Sequence, residues 1–548
     1  MSGEEPLLVR SDKGCTVLCR GVALYPPEDP LGYARARARA ARLASRSLVY
    51  VPSVGLGHGI AELLARLPES SAVLCIETQP RILAMAEAQG FPRDERLIVL
   101  GTSDAERITE AVRSLGISRF RRVVEVPLCA GYRLDAPGYA AVRRLLESLV
   151  RAHWQDAMTL IAMGSLWVRN LFENLAVLPV SRDFSALAVD GPVVVAGAGP
   201  SIEAALPALS RARESYTLVA ADTALPLLMA HSISPDIVVA LESQLANIQD
   251  FLPSRGRGIR LACELTAHPC TARLFPENRF FFSSRFAPLP LFGRLEKAGM
   301  LPCPFPALGS VGVAAAHAGL RLTAGEVFLI GLDFSFPGSR THARGTPRHI
   351  ASLLAASRRH GVGQDAVRSL ASRPALRVRG KDGAPLATDS VLRSYRDGLE
   401  REAAAETGRI WDLGRIGLDL GIRRIGEEEF VRRVSAGCRT RAAGGAPRLA
   451  VREACAFTPA ALERFLRGEI VLLERAAQRI TELLARAGPA GQIALSGDDA
   501  ALLRDIDYAY VHFPDQPGGL PIPSCSFLAR ARVAASYYRE RIERLAGR

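Results

Sequence analysis

The 548-residue chain reads as an α/β protein: a central Rossmann-like parallel-sheet domain, a smaller α/β domain before it and a helical region after it. Three observations predict this. Between about 185 and 430, short β-branched and aromatic runs alternate with helix-period segments. Two strand–turn–helix passages are rich in glycine, and beyond about 435 the apolar residues recur mostly at helical spacing. The length exceeds what one core holds, and the changes of pattern divide it at 1–182, 183–432 and 433–548.

The first domain opens with strand-like stretches in "CTVLCRGVALYP". It continues with "SLVYVPSVGLGHGIAELLARL", a strand, a turn holding Gly55, Gly57 and Gly59, and a helix. The next strand, "SAVLCIETQ", ends on Glu77, so an acid follows the glycines by about 20 residues, the outline of a dinucleotide or adenosyl site. The same spacing suits a nucleotide fold kept for packing. In the second domain "PVVVAGAG", "YTLVAAD", "DIVVALES", "RFFFSS" and "EVFLIGLDF" are the strands of a βαβ pattern. The third carries "TPAALERFLRGEIVLLERAAQRITELLARAG" and "SFLARARVAASYYRERIERLAG", helices separated by Gly- and Pro-rich breaks.

Composition excludes several classes of function. The net charge of +13 is carried almost wholly by arginine, lysine standing only at 13, 297 and 381, which reflects codon preference as much as a ligand. The main dense basic run, "YARARARAARLASR", suits a solvated helix face, and no nucleic-acid partner is expected. The ten cysteines form no CxxC pair, so neither a metal site nor a disulfide framework is expected. The opening residues lack the order of a signal peptide, and prolines interrupt the longest uncharged run, "AGMLPCPFPALGSVGVAAAHAGL". A cytoplasmic protein with reduced thiols and no membrane span is the expectation.

The candidate site centres on "VVVAGAGPSIE", residues 193–203. Gly197 and Gly199 let the backbone bend and approach a ligand, Pro200 suits a helix entry, and Ser201 is placed to cap it. Free N–H groups at such a start make an anion site fit for a nucleotide phosphate. Three other strands end on polar groups: Asp222; Glu242 with Ser243; Asp333 with Ser335. Ligands of open parallel sheets bind beyond the carboxyl ends of the strands, so these groups should line one crevice with the Ser201 turn.

The passages "AGAGPSIEAALPAL", "LVAADTALPLLMAHSISPDIVVALES" and "VFLIGLDFSFPGSRTHARGT" resemble the central domain of the motility accessory factor family, the proposed flagellin glycosyltransferases. That domain is grouped with 6-hydroxymethylpterin diphosphokinases and is similar in fold to the family 42 sialyltransferases. The resemblance spans about 185–425, with a weaker likeness at "VGLGHGIAELL". Likeness to the sialyltransferases implies that Gly197, Gly199, Pro200 and Ser201 hold the donor nucleotide, although the sialyltransferases' Asn is Ala198 here. It implies that Asp222 and Glu242 read hydroxyls, and that Ser310 matches a serine at the start of "SVGVAAAHAGL". Two tyrosines that support the leaving phosphate fall at about Ser335 and His342, where Arg340 introduces a cation able to do the same work. His342, in the motility proteins' Thr-His-Ala motif, is the first choice of acid/base, with His349 and His360 as rivals and Asp333 as a carboxylate alternative.

The expected reaction is transfer of an acidic nonulosonic sugar from a cytidine monophosphate donor to Ser or Thr of a flagellin-like protein, with no cofactor required. A diphosphokinase using ATP and magnesium, with Asp222, Glu242 and Asp333 as ligands, is one alternative. A non-enzymatic flagellar accessory or chaperone protein is the other.

Overall fold

The computed structural model describes residues 5–254, 257–359, 361–371, 375–406, 408–439, 448–452, 457–486, 491, 493–514 and 523–547. The chain divides into two compact units, Met1–Ala162 and Met163–Arg548.

The first unit opens with β1 (Leu7–Ser11), β2 (Gly14–Cys19) and β3 (Val22–Ala23), a small antiparallel sheet. There follow α1 (Pro30–Ala40), β4 (Ser47–Pro52), α2 (Ile60–Ala65), β5 (Ala72–Ile76), α3 (Pro80–Gln89), β6 (Leu97–Leu100), α4 (Ala105–Ser114), β7 (Arg122–Glu125) and α5 (Ala136–Leu175), whose residues from 163 onward belong to the second unit. The larger sheet has the order β6-β5-β4-β7 and is parallel throughout. β4 and β5 are buried along their whole lengths, as expected of strands covered on both faces, and hence read as continuous apolar runs.

The second unit holds β8 (Arg182–Asp183), β9 (Leu187–Asp190), β10 (Val193–Ala196), α6 (Ile202–Arg211), β11 (Thr217–Ala221), α7 (Leu225–Ala230), β12 (Ile237–Ala240), α8 (Ile248–Phe251), β13 (Arg260–Glu264), α9 (Pro269–Arg273), β14 (Arg279–Ser284), α10 (Pro290–Lys297), β15 (Cys303–Phe305), α11 (Val311–Leu322) and β16 (Val327–Ile330). After these come α12 (Pro347–Leu354), α13 (Val362–Ala371), the hairpin β17 (Leu376–Arg379) and β18 (Pro385–Thr388), α14 (Ser390–Ala404), β19 (Ile410–Asp412) and α15 (Glu427–Arg439). The chain ends with β20 (Arg448–Val451), α16 (Pro459–Arg486), α17 (Gly497–Asp505) and α18 (Cys525–Ala546).

The main sheet runs β15-β14-β13-β12-β11-β10-β16-β19, with β8 also paired to β14, and every pairing in it is parallel. Val193 and Val195 of β10 face the core that holds α11, while Val194 and Ala196 face the core that holds α6. A Cβ on Gly319 of α11 would stand 2.6 Å from Val195, so only glycine lets that helix lie so close. Strand order reverses at β10, between β11 on one side and β16 on the other, which is where an open α/β sheet forms its ligand crevice.

The predicted mixed α/β class, with its large parallel sheet and helical C-terminal region, is the observed one. The boundaries differ. Position 182 falls inside the second unit because the last turns of α5 are fastened to it: Asn170 donates to the carbonyls of Ser243 and Thr266 at 2.9 and 3.0 Å, and Asn174 to those of Leu265 and Ala267 at 2.9 and 2.8 Å. Position 433 falls within α15, which packs on α6. The C-terminal helices belong to the same unit, held by a two-pronged pair from Arg294 of α10 to the buried Glu469 of α16 at 2.5 and 2.9 Å. Among the described residues no helix is long and apolar enough to cross a membrane.

Candidate functional site

The 197–201 turn leaves β10 and is clasped by the end of β16. Gly197 N–H donates to the Ile330 carbonyl and Gly199 N–H to that of Gly331, both at 2.8 Å. A Cβ on Gly197 would lie 2.5 Å from the Gly331 carbonyl oxygen, and one on Gly199 would lie 2.7 Å from the Asp333 carboxyl. Both glycines are therefore required by the close approach of two backbones. Pro200 and Ser201 are buried, whereas Ala198 and Gly199 remain partly open.

The structure corrects the part expected of Ser201. Its side chain does not cap α6 but accepts from Gly331 N–H at 3.2 Å. Its own N–H, expected to be free for an anion, donates to Oδ2 of Asp333 at 2.9 Å. Asp333 is 3% exposed, its Oδ1 is buried without a hydrogen-bond partner, and burial pushes its pKa up to about 6. A carboxylate of the protein thus holds the seat that a phosphate oxygen would take. The next residue, Phe334, is held in the left-handed region at φ +44° by a bond from Thr388 Oγ1 to its carbonyl at 2.8 Å. A bulky residue is costly there, and such strain gathers where a neighbouring side chain must be aimed. Ser335 turns inward, donating to the Asp333 carbonyl at 2.9 Å.

Two residues absent from the sequence reading complete this corner. Lys381, from the β17–β18 turn, meets Asp412 at the end of β19 at 2.6 Å, and both side chains are buried. The Lys381 ammonium and the Ser201 hydroxyl both lie within 3.3 Å of the point where a Cβ on Gly414 would stand. Burial raises the Asp412 carboxyl and Lys381 opposes the rise, while at Asp333 the same lysine pulls downward against Asp412.

The loop after β16 closes over the turn. Ala343 N–H donates to the Ala198 carbonyl at 2.8 Å, which lays the backbone of the loop carrying His342 and Arg344 against the turn. His342 Nδ1 stands 3.1 Å from Thr341 Oγ1, and burial, aided by Arg348, lowers its pKa, so the ring is neutral at pH 7 and able to accept a proton. Arg340 is not poised over the turn as a free cation. It is paired with Glu203 in the first turn of α6 at 2.5 Å, and the same carboxylate accepts from Arg344 N–H at 2.8 Å. His349 Nδ1 accepts from Gly345 N–H at 3.1 Å, which ties it to the loop backbone. His360 lies outside the described residues.

Asp222 and Glu242 form a second group, with Asp250. Asp222 is buried, accepts from Thr223 N–H and Asn247 Nδ2 at 2.7 Å each, and is pushed by burial up to about 7. Burial likewise lifts Asp250 to about 6, with Glu242 adding to the rise, and Glu242 itself, on the rim, is raised. Burial and their mutual repulsion together make these carboxyls titrate late. Ser310 starts α11; Leu332 fills the space between that first turn and Gly197, since a Cβ on either Gly312 or Gly197 would touch its Cδ2 within 2.7 Å. Tyr395 of α14 lies against Gly309 and near Glu242, and was not foreseen. Among the described residues no group of three His, Cys, Asp or Glu side chains could hold a metal ion, so Asp222, Glu242 and Asp333 are not gathered as the magnesium ligands of the diphosphokinase alternative.

In the first unit the acid that follows the glycines faces their turn. Glu77 is fully buried and accepts from Ser53 Oγ at 2.8 Å, Gly55 N–H at 3.4 Å, Gln79 N–H at 3.0 Å and Tyr139 OH at 3.1 Å. Every lone-pair direction is answered from within the protein, which favours the packing alternative for this glycine-rich turn.

Residues 167–339 match the family described as 6-hydroxymethylpterin diphosphokinase MptE-like. The chain is 29% identical over 560 residues to an uncharacterized protein of Treponema pallidum (strain Nichols), covering 98% of this chain and 95% of that one. A second protein of that organism is 28% identical over 105 residues, 18% of this chain and 50% of its own. Among solved structures, the MAf glycosyltransferase from Magnetospirillum magneticum AMB-1 shares the fold with a TM-score of 0.57 and 15% identity, over 99% of this chain and 89% of that one. The resemblance to motility accessory factors and MptE-like domains read from the sequence is thereby borne out.

Proposed function

We propose that the chain is a glycosyltransferase that moves an acidic nonulosonic sugar from a cytidine monophosphate donor to a Ser or Thr hydroxyl of a flagellin-like protein. The observation that carries the reading is the convergence, at the point where strand order reverses, of the α6 start, the half-satisfied Asp333 and the His342 loop. The fold around them is the one shared with a glycosyltransferase along nearly the whole chain. The donor phosphate approaches the accessible backbone of Ala198 and Gly199 and competes with Asp333 for Ser201 N–H. The bond from the anomeric carbon to the phosphate oxygen breaks and its electron pair leaves with cytidine monophosphate. The acceptor oxygen forms the new bond to that carbon and its proton passes to Nε2 of His342. Oriented dipoles in a closed crevice lower the barrier mainly by electrostatics and positioning.

A second reading, an ATP-dependent diphosphokinase, is favoured by the match of residues 167–339. Thermal-shift measurement with cytidine monophosphate, cytidine triphosphate, ATP with magnesium, and S-adenosylmethionine separates the two, because a ligand of the native state raises the melting temperature. The cytidine nucleotides are expected to raise it; a rise with ATP and magnesium alone sinks the glycosyltransferase reading. No rise with any of them favours the accessory or chaperone role.

A further inference from the structure

Residues 340–379 carry nine arginines against one acidic residue, Asp365, in a chain whose net charge is +13. The segment contains no aromatic residue. It holds α12 and α13, which pack on one another, and no residue of α12 is buried. Ile350, Leu353 and Leu354 recur at i, i+3 and i+4 along α12 and are 44%, 46% and 83% exposed. Val362 and Val367 of α13 are 37% and 57% exposed. Arg348 of α12, Arg358 and Arg359 between the helices, and Arg368 of α13 are exposed as well.

A soluble helix turns such an apolar stripe inward. Here the stripe faces out, flanked by charge that is nearly all positive. Interfaces between proteins are typically anchored by buried aromatic side chains, and this segment has none. Short helices with an aliphatic face and a cluster of basic residues are instead suited to lie in the headgroup region of a bilayer, the aliphatic groups entering the acyl boundary and the arginines meeting anionic headgroups. We infer that α12 and α13 form a docking surface for an anionic lipid bilayer, on which the chain rests without spanning it.

The test is co-sedimentation of the full chain with vesicles of phosphatidylcholine alone and of phosphatidylcholine with about one-third phosphatidylglycerol, in low salt and near 0.5 M salt, where charges are screened within a few ångströms. Binding is expected only to the anionic vesicles and is expected to fall in high salt. R358E/R359E and L353D/L354D should each weaken it by about tenfold or more, one through charge and the other through insertion. All four positions are exposed, so the variants should keep the wild-type melting temperature. Absence of binding to anionic vesicles in low salt overturns the inference, and so does binding that both variants retain. Capture of a poly-glutamate peptide without capture of vesicles also overturns it and reassigns the face to an acidic protein.

Discussion

The two glycine-rich turns of this chain, 53–59 in the first unit and 197–201 in the second, look alike in the sequence. Each follows a buried strand, each leads into a helix, and each has a buried carboxylate accepting from its backbone. They differ in what the carboxylate has left over. Glu77 has four donors on its two oxygens, while Asp333 has one oxygen on Ser201 N–H and the other buried without a partner. A fully answered acid closes a turn for good; a half-answered one, already lifted to about 6, can release it to a stronger anion. The first turn is thus architecture, and the second is where ligand chemistry is to be sought.

The sharpest way to break the comparison is at Glu77. Glu77→Ala strands four donors, three of them in buried bonds, and should cost about 4 kcal/mol or more, seen as a large drop in melting temperature. A drop no larger than that of Asp333→Ala, which strands one donor, would erase the distinction. Lys381→Met should come next, at about 3–5 kcal/mol, because it leaves Asp412 as an uncompensated buried charge. If the pair serves the second turn, this variant should also shift the pH dependence of nucleotide affinity, since Lys381 holds the Asp333 carboxyl down. His342→Ala should cut turnover by roughly 10²–10⁴-fold while leaving cytidine nucleotide affinity unchanged, the mark of a positioned base rather than a phosphate ligand. Wild-type turnover with a dead His349→Ala would move the assignment to His349.

The smallest expected effect concerns pH. The folded pKa of Asp333 is raised above its unfolded value, so its contribution to stability is present in full below about 4 and is lost as pH rises through about 6. Asp333→Asn does not titrate. Its melting temperature relative to wild type should therefore climb between pH 4 and 7, by an amount equivalent to about 1–3 kcal/mol. A flat difference would mean that Asp333 is ionised in the folded chain at an ordinary pH.

The strand-end rule read from the sequence expected Asp333 beside the 197–201 turn, and the structure brings them together because β10 and β16 are neighbours whose polar ends follow continuous apolar runs. The partners were not legible. Asp333 reaching Ser201 is a contact across 132 positions, and Lys381 meets Asp412 only because β19 returns beside β16 and the β17–β18 hairpin folds back toward it. "GKDG" by itself reads as a turn. Arg340 was legible as a cation near the site, but its neutralisation by Glu203 depends on helix phase and loop path together. At Glu77 the spacing alone left a ligand site and a packing role open, since the residue just past a strand can turn toward the neighbouring loop as easily as outward.

The pairing of β10 with β16 also bears on how the chain is made. Val193–Ala196 emerges from the ribosome with β11 soon available for one edge, but its other edge waits for Val327–Ile330. At ordinary rates of synthesis that wait is on the order of ten seconds or more. Throughout it the middle of the future sheet is an open apolar edge, able to pair with any extended strand nearby. A codon change that slows translation between these two strands should therefore lower the yield of soluble chain without altering a single residue.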